Sequence, residues 1–208
     1  MEITTTARHR PRTEYVSRIV EAGTAACRLY GPTKANVADI ARLLGKSPAS
    51  IYRIFSSKAV IWDAIAGNFL QNTLRVPALA VGERRDAASC LEEAALGHHR
   101  RMSETRDRDR QMFSLVVLAA EGSWPSFMQY LHELEADVGK LIRAGVASGE
   151  FAPRNVDVAA SCFCAAVISL WDPRLIGAPS KEHMSAHALV SFAVAGLCNH
   201  PAVATMSI

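Results

Sequence analysis

Apolar residues along the chain recur at steps of three and four, and no stretch alternates apolar with polar positions as a half-buried strand would. The pattern predicts an all-α fold. Thr13 is placed to cap a first helix whose inner face reads Val16, Ile19, Val20, Gly23, Cys27 and Tyr30, and Gly31 with Pro32 ends it. Asn36 caps a short second helix. Asp39 at its third position closes a capping box, and Val37, Ile40, Ala41 and Leu44 face inward. Gly45 stops that helix. Ser47 caps a third, with Pro48 at the first position, where a missing N–H costs nothing. Ser56 and Ser57 open a fourth helix carrying Ile61, Ile65 and Phe69 along one side. Further helices are expected over roughly 86–102, 109–120, 125–148, 156–172 and 181–198, about nine in all, with Pro125 in a first turn, Gly149 as a stop and Ser180 as the last cap. Residues 76–83, which include Pro77 and Gly82, read as a linker or a frayed helix end.

The second and third helices, joined through Gly45, form a helix-turn-helix pattern. Two helices that cross steeply need a permissive residue between them. A helix whose start enters a major groove about 12 Å wide needs small polar side chains there. Ser47, Ala49 and Ser50 supply them. Arg53 lies just beyond and Lys58 opens the fourth helix, both placed to meet phosphates. The helix N-termini at Asn36 and Ser47 also offer free N–H groups to an anionic backbone. Taken singly, a Ser or Asn here is more often only a cap, Tyr52 and Phe55 more often core, and Lys58 a solvated charge; the whole pattern carries the reading.

Charge sharpens it. The net charge is only +3, yet residues 1–60 hold 10 Lys+Arg against 4 Asp+Glu, and the remainder 13 against 16. A basic first quarter on a mildly acidic remainder points to an N-terminal module that meets a polyanion. It includes an arm over 1–12, expected to be flexible, whose Arg8-His-Arg-Pro-Arg12 run suits phosphate or a minor groove. With 50% hydrophobic and 21% charged residues the chain can bury a core, which excludes disordered and collagen classes. The longest unbroken apolar run, Cys162 to Ile168, is far below the roughly 18 residues of a spanning helix. The opening residues carry charges and no apolar stretch, so neither a membrane segment nor a signal peptide is expected. Five scattered cysteines fit a reducing cytoplasm better than a disulfide framework.

The run Asn36-Val-Ala-Asp-Ile-Ala-Arg-Leu-Leu-Gly-Lys-Ser-Pro-Ala-Ser-Ile-Tyr-Arg-Ile-Phe-Ser-Ser-Lys58 resembles the TetR/AcrR family of bacterial transcriptional regulators: a capped Asp-Ile-Ala helix, a Gly turn, a Ser opening the recognition helix, then Tyr-x-x-Phe and a Lys. Ile19-Val-Glu-Ala-Gly23 and Leu29-Tyr-Gly31 resemble that family's first helix, so the likeness covers residues 13–70. The resemblance implies a three-helix DNA-binding domain over 1–58 and a helical ligand-binding and dimerisation domain over 59–208. It implies that Asn36 contacts phosphate, that Ser47, Ala49 and Ser50 face base edges, that Tyr52 packs or touches the backbone beside the groove, and that Lys58 binds phosphate. Ile54 departs from the His or Tyr often found before the Phe, which shifts weight to Arg53 and the arm.

In the second part, Gly145-Val-Ala-Ser-Gly-Glu-Phe151 followed by Asn155-Val-Asp157 resembles the turn ahead of the family's dimerisation helices. The stretches 158–171 and 187–198 are apolar on more than one face and rich in small residues, so they need cover on both sides. An isologous two-fold bundle supplies it, with Phe163, Val167, Trp171, Leu189, Phe192 and Leu197 as expected interface residues; the alternative is interior helices in a monomer. A dimer presents two recognition helices to half-sites about 34 Å apart on a near-palindromic operator. An effector that prefers another separation releases DNA by population shift, with the fourth helix as the lever through Ile65 and Phe69. Phe69, Met112, Phe113, Trp124, Phe127, Met128 and Phe163 are candidates to line an apolar effector cavity, each equally readable as plain core.

Other candidates are weaker. His183 and His187 lie four apart without a third ligand, and Cys162-x-Cys164 sends its sulfurs to different sides of a helix. A thiol sensor built from Cys162, Cys164 or Cys198 stays open as a minor reading. The run Glu104-Thr-Arg-Asp-Arg-Asp-Arg110 alternates in sign and reads as a solvated connection. No phosphate loop, nucleophile elbow or zinc-protease motif is present, so no enzyme activity, metal or cofactor is expected. The expectation is a cytoplasmic, homodimeric repressor that binds double-stranded DNA and is released by a small hydrophobic effector. Its rivals are an activator, and an α-helical metabolite-binding protein or enzyme whose N-terminal bundle is purely structural.

Overall fold

The computed structural model describes residues 10–75, 86–177 and 185–198. Among them are ten α-helices, one π-helical turn and no strand; Phe151 and Cys198 form an isolated antiparallel bridge. The expected linker 76–83 and the cap at Ser180 lie outside the described residues.

The first helices are α1 (Arg10–Tyr30), α2 (Val37–Leu44), α3 (Pro48–Tyr52) and α4 (Lys58–Phe69). α1 is already helical at Arg10, so Thr13 is not its cap and Arg10 to Arg12 are helix rather than arm. Pro11 permits this, because a first-turn residue has no intrahelical N–H bond to lose. Residues 1–9 of the expected arm lie outside the described residues. Ile19, Val20, Ala26 and Cys27 are buried along α1, whereas Tyr30, expected inward, is exposed. Its ring lies 5.8 Å from the Arg42 guanidinium, and its hydroxyl accepts from Arg42 at 3.0 Å. α4 passes into a π turn, Leu70–Leu74, whose Leu70 and Leu74 are fully buried; no sequence pattern announced it.

The remaining helices are α5 (Ala87–Arg108), α6 (Arg110–Glu121), α7 (Pro125–Ser148), α8 (Val156–Ala166), α9 (Ile168–Trp171) and α10 (Ala186–Ala195). The charged run expected as a connection is instead the last turn of α5. The break comes at Asp109, whose carboxylate caps α6 through Met112 N (3.4 Å) and pairs with Arg28 of α1 at 2.9 Å. The helix expected over 156–172 is split at Val167, which leaves helical geometry (φ −95°, ψ 8°) with its side chain fully buried. The last helix starts at Ala186, capped by Ser185 Oγ, which accepts from Ala188 N at 3.0 Å.

By compactness the chain forms two units: Met1–Thr73 with Glu104–Met128, and Leu74–Ser103 with Gln129–Ile208. The first is therefore larger than residues 1–58. In it α1 packs on α2, α4 and α6, and α4 on α6. Its core includes Ile19, Ile40, Ile51, Ile61, Ile65, Met112 and Leu115, each fully buried.

The second unit is tied together by the turn after α7. The Glu150 carboxylate accepts from Ala87 N (2.8 Å) and Ala88 N (3.2 Å), satisfying orphan donors at the start of α5. Phe151 is buried beside it. Gly145 permits that approach: a Cβ there would stand 2.1 Å from Phe151 Cδ2 and 2.9 Å from Ala87 Cβ. Helix propensity alone favours Ala by about 1 kcal/mol, but forcing a methyl into a buried ring costs more. Gly145→Ala is expected to lower stability by about 2 kcal/mol in urea denaturation; a stabilised variant would contradict this packing.

Candidate nucleic-acid interface and a cavity in the second unit

The start of α2 is built by its own side chains. Asn36 is extended; its Oδ1 accepts from Asp39 N and its backbone N–H donates to Asp39 Oδ2, both at 3.0 Å. The helix ends in a Schellman turn. Gly45 adopts φ 62°, Lys46 N donates to Ala41 O at 2.9 Å, and Gly45 N to Arg42 O at 3.2 Å. A left-handed residue at this point costs glycine nothing. Two bonds from α4 pin the loop before α2: Trp62 Nε1 donates to Pro32 O and Lys58 Nζ to Ala35 O, each at 2.9 Å.

α3 follows within three residues. Ser47 Oγ accepts from Ser50 N at 3.3 Å, and Pro48 stands in the first turn. Ile51 is fully buried and Phe55 is 8% exposed, so the core holds one side of this segment. Ser47, Ala49, Tyr52 and Arg53 stand on the other side in solvent. Of the two aromatics, Phe55 is core and Tyr52 is not. Ser50 is half-buried: its hydroxyl donates to Ser47 O at 2.6 Å. That proton being committed, Tyr15 donates to Ser50 Oγ at 3.1 Å.

Tyr15 was not foreseen; its partner lies 35 positions away, and no local pattern links them. With Glu14, Arg18, Lys46, Ser50 and Arg53 it lines a surface groove of about 420 Å³. Lys46 and Arg53 are exposed and form no ion pair among the described residues. Lys58 is more constrained. Besides its bond to Ala35 O, its ammonium lies 4.6 Å from the Trp62 ring centroid. Asn36, Ser47, Ala49, Tyr52 and Arg53 on the helix-turn-helix, and Lys58 at the start of α4, are thus all exposed.

The seven residues expected to line an effector cavity divide between the two units. Phe69, Met112 and Phe127 are core of the first unit, Phe113 and Trp124 are half-buried there, Met128 is 51% exposed, and Phe163 belongs to the second unit. The second unit has a different cavity, about 30 Å³, walled by Leu91, Ala94, Ala95 and His98 of α5, Leu134, Asp137, Val138 and Leu141 of α7, and Trp171 of α9. His98 is 1% exposed. Its Nδ1 lies 3.0 Å from the buried Tyr130 hydroxyl, and its ring meets Trp171 edge-on at 5.3 Å. Burial, aided by the charge of His99 and opposed by hydrogen bonding with the Leu74 and Trp171 backbone, holds its pKa down to about 4. Burial likewise raises the Tyr130 hydroxyl. Burial works against the Asp137 carboxylate, but Lys140 and Arg75, each 2.7 Å away, more than offset it and keep it ionised below the usual range.

α8 packs on α10. Of the residues expected at an interface, Phe163, Val167, Trp171 and Leu197 are buried in the protomer itself, Leu189 is half-buried, and Phe192 is 77% exposed. Helices covered by their own chain on one side have only the other to offer, and that side presents Val158, Cys162, Ala166, Phe192 and Gly196. A groove of about 570 Å³ runs along it. Burial pushes the Cys164 thiol up to about 12, with the nearby Glu135 adding to this, so little thiolate forms at neutral pH. His187 opens α10, while His183 lies outside the described residues. Among the described residues no cluster of three or more His, Cys, Asp or Glu is placed to hold a metal, and no helix is long and apolar enough to cross a membrane.

The family model "Tetracyclin repressor-like, C-terminal domain" matches residues 87–190, half of the chain. The chain belongs to the TetR family of transcriptional regulators. Solved structures agree in fold. A protein described as a TetR-family regulator from Rhodococcus sp. is 18% identical over 88% of this chain and 98% of that one, with a TM-score of 0.60. PfmR from Thermus thermophilus is 22% identical over 86% and 95%, with a TM-score of 0.51. RolR in complex with resorcinol is 14% identical over 91% and 90%, with a TM-score of 0.57. At these identities the likeness bears on the fold alone. No curated protein matches the chain in sequence.

The buried neutral His98 makes stability depend on pH. Its folded pKa of about 4 lies below the ordinary value of 6.5, so the unfolded chain binds more protons between them. The stabilisation is complete above pH 6.5 and is lost as pH falls toward 4. His98→Leu should flatten that slope, which amounts to on the order of 3 kcal/mol. Denaturant titrations of both proteins at several pH values check this, and equal slopes would contradict it.

Proposed function

We propose that the chain is a homodimeric, DNA-binding regulator that represses from a near-palindromic operator and is released by a small, largely apolar molecule. The observation that carries this reading is the stance of α3: Ile51 is wholly buried while Ser47, Ala49, Tyr52 and Arg53 face water. A short helix held this way offers its first residues to base edges and Arg53 to phosphate. The basic rim of Arg18, Lys46 and Arg53 supports the same role. Family membership supports regulation, and RolR, which holds resorcinol, supports a small-molecule site in this fold. The exposed apolar side of α8 and α10 supports a second copy as partner: a two-fold axis would bury both Phe192 side chains.

Two measurements test it. On DNA from upstream of its own gene, Lys46→Ala and Arg53→Ala are expected to weaken binding to every duplex alike and to lower the salt slope by about 1 each, whereas Ala49→Asn shifts base preference. Anisotropy titrations at several salt concentrations read this; an Arg53→Ala variant with altered base preference would overturn the roles. In sedimentation the chain is expected to be a dimer, and Phe192→Asp to weaken it roughly a thousandfold, because two buried phenyl rings are lost at once. An unchanged association constant would remove α8 and α10 as the interface.

A further inference from the structure

We infer that Tyr15 is a specificity-determining positioning residue. Through Ser50 it turns one wall of the groove between α1 and α3 into a pure hydrogen-bond acceptor, which selects an amino-bearing base edge, adenine N6 or cytosine N4, over a carbonyl-bearing one. This rests on the reading of the chain as a DNA-binding regulator and names a chemistry that its recognition helix reads.

The direction of two protons leads there. Ser47 O is a backbone carbonyl and can only accept, so the Ser50 hydroxyl, 2.6 Å away, donates to it. Tyr15 Oη lies 3.1 Å from Ser50 Oγ. With the serine proton spent, the phenol supplies the next one. The chain of bonds runs from Tyr15 to Ser50 to Ser47 O, fixed at the end that cannot reverse, and each bond polarises the next. Ser50 Oγ is left with one lone pair, and Tyr15 Oη with lone pairs and no proton to give. Both hydroxyls therefore meet a partner as acceptors. A serine on a recognition helix can by itself donate as easily as accept; here a side chain 35 positions away decides.

The surroundings define what completes the pair. Tyr15 and Ser50 are half-buried and share the open groove with Glu14, Arg18, Lys46 and Arg53. The three cations are exposed and suited to phosphate oxygens. The O6 of guanine and the O4 of thymine bring lone pairs that the two hydroxyls oppose. The exposed carboxylate of Glu14 adds negative potential in the same groove. An amino group suits both features, because adenine N6 and cytosine N4 bring protons into the major groove. Exchanging A for G, or C for T, puts a carbonyl where the amino group stood. That exchange turns a hydrogen bond into a repulsion between oxygens.

The test uses the full chain and the duplex it selects from a random pool, with each base pair of a half-site exchanged in turn and affinity read by anisotropy. The wild type is expected to show one position in each half-site where A is preferred over G, or C over T, by roughly tenfold, the worth of one such bond. Ser50→Ala should bring that ratio within twofold. Tyr15→Phe, which removes one oxygen and keeps the ring, should do the same, because a serine no longer given a proton can turn its own outward. The salt slope and the other positions should stay as they were. In the Ser50→Ala background Tyr15→Phe should change nothing further. A tyrosine that merely holds α1 on α3 would instead weaken every duplex alike and add to the effect of Ser50→Ala. That outcome, or a ratio that Tyr15→Phe leaves untouched, would overturn the inference. If Tyr15→Phe does not fold, the wild-type ratios and Ser50→Ala decide. A wild type that selects a site without such a position overturns this inference alone, and one that selects no duplex overturns the regulator reading with it.

Discussion

A five-residue helix has no business persisting in water by itself: isolated helices below about a dozen residues are marginal even in favourable sequences. α3 persists because Ile51 is wholly buried and Phe55 nearly so. Everything offered outward by Ser47, Ala49, Tyr52 and Arg53 depends on that one anchored side. The surrounding devices serve the same placement. The left-handed Gly45 turns the chain, Ser47 accepts from the Ser50 N–H, and Tyr15 holds Ser50 from α1. Trp62 and Lys58 fasten the loop that launches α2. Lys58 thus illustrates how a residue read as a phosphate ligand also serves as a structural clamp.

What was legible in the sequence was what is chemically local. Caps at Asn36 and Ser47, the start at Ser57 and stops at Gly31, Gly45 and Gly149 act within four residues of themselves, and each appears where the pattern placed it. The failures are long-range. The run Glu104 to Arg110 looked like a solvated link because its charges alternate, yet Thr105 within it and Met102 just before it are buried and hold its first part in the helix. Val167 breaks a pattern that looked continuous, since the packing of Phe163 on Trp171 (6.3 Å between rings) is invisible to periodicity. For greasy helices covered on both sides, a sequence shows that two faces exist and not which belongs to the protomer. Hence Phe163, Val167 and Trp171 proved internal while Phe192 stayed outside.

The second unit buries a polar group that no sequence motif singled out. His98 reads as one of two adjacent histidines in an amphipathic helix, and its neighbour His99 donates to Leu170 O at 3.0 Å. Tyr130 and Trp171 reach His98 from 32 and 73 positions away. Desolvation holds the imidazole neutral against the opposing pull of the Leu74 and Trp171 backbone.

The central claim, that paired copies of α3 read successive turns of duplex DNA, is tested most directly by selecting bound duplexes from a random pool with the full chain and footprinting the winners. The account predicts two inverted half-sites with centres about 10 base pairs, or a small multiple of that, apart. A pool that never enriches, or enrichment of a single site without an inverted mate, would contradict it.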